Sequence, residues 1–127
     1  FWHGHSYTAN PLGCAAAIAS LNLLEKTSGR FQSMEEKHRA HLQRFADIRV
    51  VEKIRVKGTI AAFDIKNEEE SGYLNSIADT IKKRCITKNL LLRPLGNTLY
   101  LMPPYCITDD ELDWVYKQME QLISELV

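Results

Sequence analysis

The stretch Leu-Leu-Leu-Arg-Pro-Leu-Gly-Asn-Thr-Leu-Tyr-Leu-Met-Pro-Pro-Tyr, residues 90–105, decides the predicted fold because it has the pattern of a β-hairpin. Two short apolar segments, 90–92 and 99–102, flank a turn that contains proline, glycine and asparagine. The hairpin carries one cation, Arg93, at the end of its first strand. A planar guanidinium suits a carboxylate, which it can hold with two parallel hydrogen bonds, but an arginine at a strand end can also extend into water. The pattern alone leaves both interpretations open.

The pattern on either side of this hairpin predicts four helices and two further strands. Asn10 and Pro11 are a strong helix start, and Thr108 with Glu111 predicts a capping box for the last helix. The predicted order is helix (to about residue 25), helix (31–47), strand (50–57), strand (59–65), helix (from 71), the hairpin, and a final helix. This order predicts an α+β fold with a small, mainly antiparallel four-stranded sheet covered by helices on one face.

We expect two parts within the chain, residues 1–29 and residues 30–127. The first part combines a polar stretch that we interpret as an interface with a helix that is apolar on most sides. Such a helix should be buried, in part against another domain or subunit that this chain does not supply. The second part is the α+β sandwich. Because the chain opens at Phe1 without an initiator methionine, we interpret it as part of a longer protein.

Composition excludes several classes of partner. Lysine plus arginine and aspartate plus glutamate number 16 each among 127 residues, so the net charge is zero and predicts neither a nucleic acid nor an anionic membrane as partner. No signal peptide and no apolar run long enough for a membrane span is visible, which favours a cytoplasmic protein. The expected partners are small molecules.

The segment His3-Gly4-His5-Ser6 is the one local cluster with possible binding chemistry. A His-x-His pair can bind a metal, but no third and fourth ligand follows at a suitable spacing, so we predict no metal. Gly4 lets a ligand approach the backbone, and the Ser6 hydroxyl just before a helix can hold a phosphate. No lysine lies in the apolar or cationic setting of a Schiff-base nucleophile, and we assign no catalytic residue. Elsewhere, His38 is expected to be partly buried and hydrogen-bonded, and His41 to lie at the surface.

Two segments together resemble one known family. His-Gly-His-Ser-Tyr-Thr-Ala-Asn-Pro-Leu-Gly-Cys-Ala, residues 3–15, and Arg-Pro-Leu-Gly-Asn-Thr-Leu-Tyr-Leu-Met-Pro-Pro-Tyr, residues 93–105, resemble the C-terminal part of the class III pyridoxal-phosphate aminotransferases, which have fold type I. The resemblance extends over essentially all 127 residues. Within that class, the second segment is most similar to the adenosylmethionine–8-amino-7-oxononanoate aminotransferases of biotin synthesis.

The resemblance implies roles for five residues. Gly4 matches a glycine that contacts the substrate. His5 and Ser6 match the pair that binds the phosphate of pyridoxal 5'-phosphate in the neighbouring subunit of a homodimer. Arg93 matches the arginine that binds the substrate carboxylate, and Tyr100 belongs to the same pocket. Ser6 stands where a threonine is common, but it keeps the hydroxyl that phosphate binding needs.

The implied reaction transfers an amino group from S-adenosylmethionine to 8-amino-7-oxononanoate. The family's Schiff-base lysine, the aspartate at the pyridine nitrogen and the aromatic residue over the ring all match positions before Phe1. We therefore expect this chain alone to be inactive and to bind no cofactor. The alternative is a free-standing α+β module that binds a small acid or regulates another protein without catalysis.

Overall fold

The computed structural model describes residue 4 and residues 8–27, 29–66 and 77–126. Within these residues the helices are α1 (Pro11–Lys26), α2 (Gly29–Gln43), α3 (Ile77–Thr87) and α4 (Asp109–Ser124), and the strands are β1 (Val51–Lys57), β2 (Ile60–Ile65) and β3 (Thr98–Leu101). The chain divides into two compact units, residues 1–30 and residues 31–127. No helix in the described ranges is both long and apolar enough to cross a membrane.

Helix α1 begins where the sequence predicts. The Asn10 side chain accepts hydrogen bonds from the backbone N–H groups of Leu12 (3.0 Å) and Gly13 (3.2 Å), and Pro11 occupies the first helical position. No residue of α1 is buried, and four of its large apolar side chains are 60–82% exposed, namely Leu12, Ile18, Leu21 and Leu23. Burial of this helix, which requires surfaces beyond this chain, therefore stays a prediction.

The second unit contains an antiparallel sheet with the order β1-β2-β3. Strand β2 lies in the centre, and its residues Ala61 to Ile65 are all buried. Its pairing with β3 aligns Phe63 with Leu99 and Asp64 with Thr98. The predicted α+β class with a small antiparallel sheet is confirmed.

One face of this sheet packs into an apolar core with the helices. Phe63 is 0% exposed, and its ring meets that of Phe45 edge to face at 5.7 Å between centroids. The helical core residues repeat at three and four positions in α4, as predicted, and its capping box is present: Thr108 accepts from the Glu111 N–H at 3.2 Å, and Glu111 accepts from the Thr108 N–H at 2.7 Å. The α4 residues in the core are Leu112, Tyr116, Met119, Leu122 and Ile123.

The prediction of a fourth strand at residues 90–92 was wrong. The described residues form three strands, and the segment before Leu95 has no regular structure. The Leu90 N–H donates to the Cys85 carbonyl at 2.9 Å, so it completes the C-terminus of α3 instead of pairing with a strand. Asn89 there has φ 57, the left-handed conformation that ends many helices. Leu91 is 91% exposed, so the apolar run is not a core segment throughout.

The second helix was also predicted too long. It begins at Gly29 and ends at Gln43, and residues 44–50 continue in turns rather than in helix to Asp47. Phe45 lies in these turns and is still buried. Because it joins the same core as the buried residues of α2, it continued their apolar pattern in the sequence. The predicted start of α3 at Ser71 lies outside the described residues, because the described part resumes at Ile77.

Candidate functional site

Arg93 lies between the end of α3 and a tight turn that leads into β3. The turn is closed by two reciprocal hydrogen bonds of 2.9 Å, from the Leu95 N–H to the Thr98 carbonyl and from the Thr98 N–H to the Leu95 carbonyl. Gly96 within it has φ 58, which glycine adopts without a steric penalty. The turn predicted from the sequence is therefore present, although only one of its flanking segments is a strand.

The Arg93 side chain is exposed, and within the described residues no hydrogen bond or ion pair engages it. Several other charged side chains in this unit do have a partner: Lys88, for example, pairs with Glu125 at 2.6 Å, and Arg55 pairs with Asp64 at 2.8 Å. Arg93 thus retains all its guanidinium donors for a ligand or for water.

The structure brings Arg93 and Tyr100 to one cleft of about 450 Å³. Tyr100 is half-buried in β3, where it faces away from its buried neighbours Leu99 and Leu101 because successive strand residues point to opposite sides. Among the described residues that line this cleft, Arg93 is the only charged one. Its other walls are mostly apolar and include Leu92, Met102, Pro103 and Trp114. A small acid with an aliphatic body has the matching chemistry.

The remaining predicted site residues lie near the start of the chain. Gly4 is exposed, and a Cβ added there would meet nothing within 4 Å, so the described structure gives no steric reason for glycine. His5 and Ser6 lie outside the described residues. At the N-terminus of α1, Asn10 already occupies the N–H groups of Leu12 and Gly13. These two N–H groups are therefore not open to a cofactor phosphate.

A second group of titratable side chains lies between α2 and α4. His38 is fully buried, and its Nδ1 lies 2.6 Å from the Tyr116 hydroxyl. His41, predicted to lie at the surface, is only 9% exposed: its Nε2 lies 2.8 Å from the Asp113 carboxylate, and its ring stacks on Tyr116 at 4.2 Å. Burial lowers the pKa of His38 and raises that of the Tyr116 hydroxyl, because both charged forms lose hydration. Across the described residues no cluster of histidine, cysteine and carboxylate side chains suits a metal ion.

Asp64 is a further polar residue of interest, and the sequence alone did not indicate it. It is 6% exposed in the central strand, and burial alone would raise its pKa, but hydrogen bonds from Thr98 and Arg55 lower that pKa below its ordinary value. A single carboxylate inside the run Ala61 to Ile65 was the available signal. Its partners could not be identified without the strand register.

Comparison with known proteins assigns the family. A sequence model described as aminotransferase class-III matches residues 2–123, which is nearly the whole chain. The chain belongs to the class-III aminotransferases. The resemblance stated from the two segments is therefore confirmed. Two curated relatives illustrate the similarity, both named as adenosylmethionine-8-amino-7-oxononanoate aminotransferases. The one from Synechococcus elongatus is 48% identical over 99% of this chain and 30% of its own length, and the one from Aquifex aeolicus is 32% identical over 99% and 29%.

Solved structures of aminotransferases have the same fold over this region. The adenosylmethionine-8-amino-7-oxononanoate aminotransferase of Methanocaldococcus jannaschii matches with a TM-score of 0.82 and 26% identity, over 98% of this chain and 30% of that one. The acetylornithine aminotransferase of Elizabethkingia anophelis matches with a TM-score of 0.82 and 29% identity, over 98% and 33%. The chain thus spans about 30% of the length of the curated relatives it matches.

Proposed function

We propose that this chain is the C-terminal part of a pyridoxal-phosphate-dependent aminotransferase that transfers an amino group from S-adenosylmethionine to 8-amino-7-oxononanoate. The observation that carries the proposal is the 48% identity, over 99% of this chain, to a protein named for that reaction. The cleft supports it, because one unpaired arginine among apolar walls suits an acceptor that has a carboxylate at the end of an aliphatic chain.

Within the complete enzyme, the described residues contribute acceptor binding. Arg93 binds the carboxylate through its guanidinium, Tyr100 forms a wall beside it, and the apolar walls of the cleft pack against the aliphatic body of the acceptor. Gly4 contributes a backbone contact to the substrate. None of these residues transfers a proton in this proposal.

The cofactor, when bound, supplies the electron sink that makes amino transfer possible. Because Asn10 already occupies two N–H groups at the start of α1, we propose that His5 and Ser6 would hold the cofactor phosphate; both lie outside the described residues. We further propose that the complete enzyme is a cytoplasmic homodimer in which this pair binds the cofactor of the neighbouring subunit.

The experiment that tests the function is an assay of the complete protein, including whatever the gene encodes before Phe1. With S-adenosylmethionine and 8-amino-7-oxononanoate, we expect the diamine product, detected by mass spectrometry. Acetylornithine with 2-oxoglutarate serves as the control substrate pair, because one structurally similar protein is named acetylornithine aminotransferase. Turnover of the acetylornithine pair alone would contradict the proposed substrates. A start codon immediately before Phe1 would instead favour the free-standing acid-binding module.

Removal of the Ser6 hydroxyl should loosen the cofactor. In the complete enzyme we expect the Ser6→Ala variant to retain less pyridoxal phosphate after dialysis, measured by absorbance, because a hydroxyl donor to the phosphate is lost. Ser6→Thr keeps the hydroxyl and should retain the cofactor as the wild type does. Equal retention by the wild type and the alanine variant would rule out this role.

A further inference from the structure

A buried carboxylate joins the central strand to the segment that carries Arg93 and Tyr100. Oδ1 of Asp64 accepts hydrogen bonds from the Thr98 hydroxyl at 2.7 Å and from Nη2 of Arg55 at 2.8 Å. A carboxylate that is 6% exposed is costly to bury, and charged or hydroxyl donors offset that cost. Asp64 is therefore held by specific hydrogen-bond donors and is not a solvated surface carboxylate.

An irregularity in β1 brings two cations to this carboxylate. The register of β1 against β2 shifts between Glu52 and Arg55, and Lys53 within the shift has φ 51, an unfavourable conformation for a residue with a side chain. Nζ of Lys53 lies 3.5 Å from Oδ2 of Asp64, and Nη1 of Arg55 donates to the Lys53 carbonyl at 2.6 Å. The irregularity in β1 thus places the charged groups of both Lys53 and Arg55 next to the Asp64 carboxylate.

The strand register connects Asp64 to the cleft. Asp64 pairs with Thr98, and Ala62 pairs with Tyr100, so the side chains of Thr98 and Tyr100 lie on the same side of the sheet as Asp64. Thr98 is both the last residue of the tight turn and the first residue of β3. Its side chain is therefore fixed by Asp64 while its backbone closes the turn.

The turn has a second attachment to the same strand. The Ile65 N–H donates to the Asn97 carbonyl at 2.8 Å, and the Asn97 side chain donates back to the Ile65 carbonyl at 3.1 Å. Adjacent residues of β2, Asp64 and Ile65, thus hold adjacent residues of the turn, Thr98 and Asn97. Arg93 precedes this turn by two residues and has no hydrogen bond of its own within the described residues. The position of its guanidinium depends on how firmly the turn is held.

We propose that Asp64, acting through Thr98, is a positioning residue for the carboxylate site: it fixes the turn and the start of β3, and so fixes Arg93 relative to Tyr100. Asp64 does not touch the substrate in this proposal. The inference rests on the proposed function, because it assumes that Arg93 binds a substrate carboxylate.

The test measures carboxylate preference in the complete enzyme, defined as the ratio of kcat/KM for the acceptor acid to kcat/KM for its uncharged amide. Thr98→Val keeps the shape and β-branching of the side chain but removes the hydroxyl that Asp64 binds. We expect its carboxylate preference to fall about tenfold, as for the loss of one charge-assisted hydrogen bond. Thr98→Ser restores the hydroxyl and should keep the wild-type preference. Asp64→Asn should lower the preference in the same direction.

The chain provides a matched control at Glu52. This residue is the register partner of Asp64, and its carboxylate lies 3.7 Å from Lys53. Glu52→Gln removes one negative charge from the same part of the sheet without touching Thr98, so its carboxylate preference should equal that of the wild type. An equal fall in Glu52→Gln and Asp64→Asn would overturn the proposal, because the loss of one negative charge from this part of the sheet would then be the cause.

Arg93→Ala distinguishes a failure of the positioning role from a failure of the proposed acceptor site. If Arg93→Ala abolishes carboxylate preference while Thr98→Val retains it, the positioning role is wrong and the proposed acceptor site stands. If Arg93→Ala itself retains carboxylate preference, the acceptor site is wrong, and the positioning proposal fails with it. Because Thr98→Val is a mild change, it gives an answer even if Asp64→Asn does not fold.

Discussion

Replacement of Arg93 by alanine in the complete enzyme is expected to weaken binding of the carboxylate acceptor by roughly 1.5 to 3 kcal/mol, the range for the loss of a hydrogen bond to a charged group. The physical reason is the composition of the cleft: Arg93 is the only charged residue among its described walls, so none of these walls offers a second cation for the carboxylate. The measurement is KM for 8-amino-7-oxononanoate, together with its dissociation constant from titration.

Two controls sharpen this result. Arg93→Lys keeps the charge but loses the planar pair of donors, so we expect an intermediate loss of affinity. Arg49→Ala removes another exposed arginine that does not line the cleft, and KM should not change. An unchanged KM in Arg93→Ala would exclude Arg93 as the acceptor's carboxylate ligand.

Acid is expected to destabilise the protein through His38. Burial holds the pKa of His38 below its ordinary value of 6.5, the Thr59 backbone opposes this shift, and the nearby His41 adds to it. The unfolded chain therefore binds a proton near pH 6.5, whereas the folded chain binds it only at lower pH. As the pH falls from 7 through 6.5 towards the folded-state pKa, the free energy of unfolding should fall by up to about 1.4 kcal/mol per pH unit.

The measurement is urea unfolding of the complete protein between pH 5 and 8, the range of about three units that brackets an ordinary histidine titration. His38→Gln lacks the titrating group, so its stability should vary less over this range, although it should be less stable at pH 7 because a buried side chain is changed. Identical slopes in the wild type and His38→Gln would contradict the assignment.

Local signals predicted local structure well. The cap at Asn10, the capping box of Thr108 and Glu111, and the turn at Gly96 each depend on hydrogen bonds between near neighbours in the sequence, and each is present. The strand predicted at residues 90–92 failed because an apolar run does not show where its N–H groups bond. At Leu90 that bond goes back to α3.

Contacts between distant segments could not be predicted in this way. His41 was expected at the surface, but it is buried because its partners Asp113 and Tyr116 belong to the last helix, distant in the sequence. Asp64 gave no clear signal for the same reason, since its donors Arg55 and Thr98 come from two other strands.

The candidate site was predictable in part. Arg93 and Tyr100 belong to one continuous segment, and the family resemblance of that segment implied a shared role for them from the sequence alone. The sequence could not show that Trp114 of α4 would form another wall of the cleft, because that contact depends on how the last helix packs.

The two-residue turn at Gly96 and Asn97 also limits how the substrate specificity of this enzyme class can be engineered. Side chains alternate along β3, so one inserted residue after Gly96 that was absorbed by a register slip would move Tyr100 to the core side and bring Leu99 to the face that Tyr100 now occupies. Lengthening the turn would therefore exchange a phenol for a leucine and bury a hydroxyl in the core. Libraries that vary side chains at exposed wall positions such as Leu91 and Met102 change the shape of the cleft and leave this spacing intact.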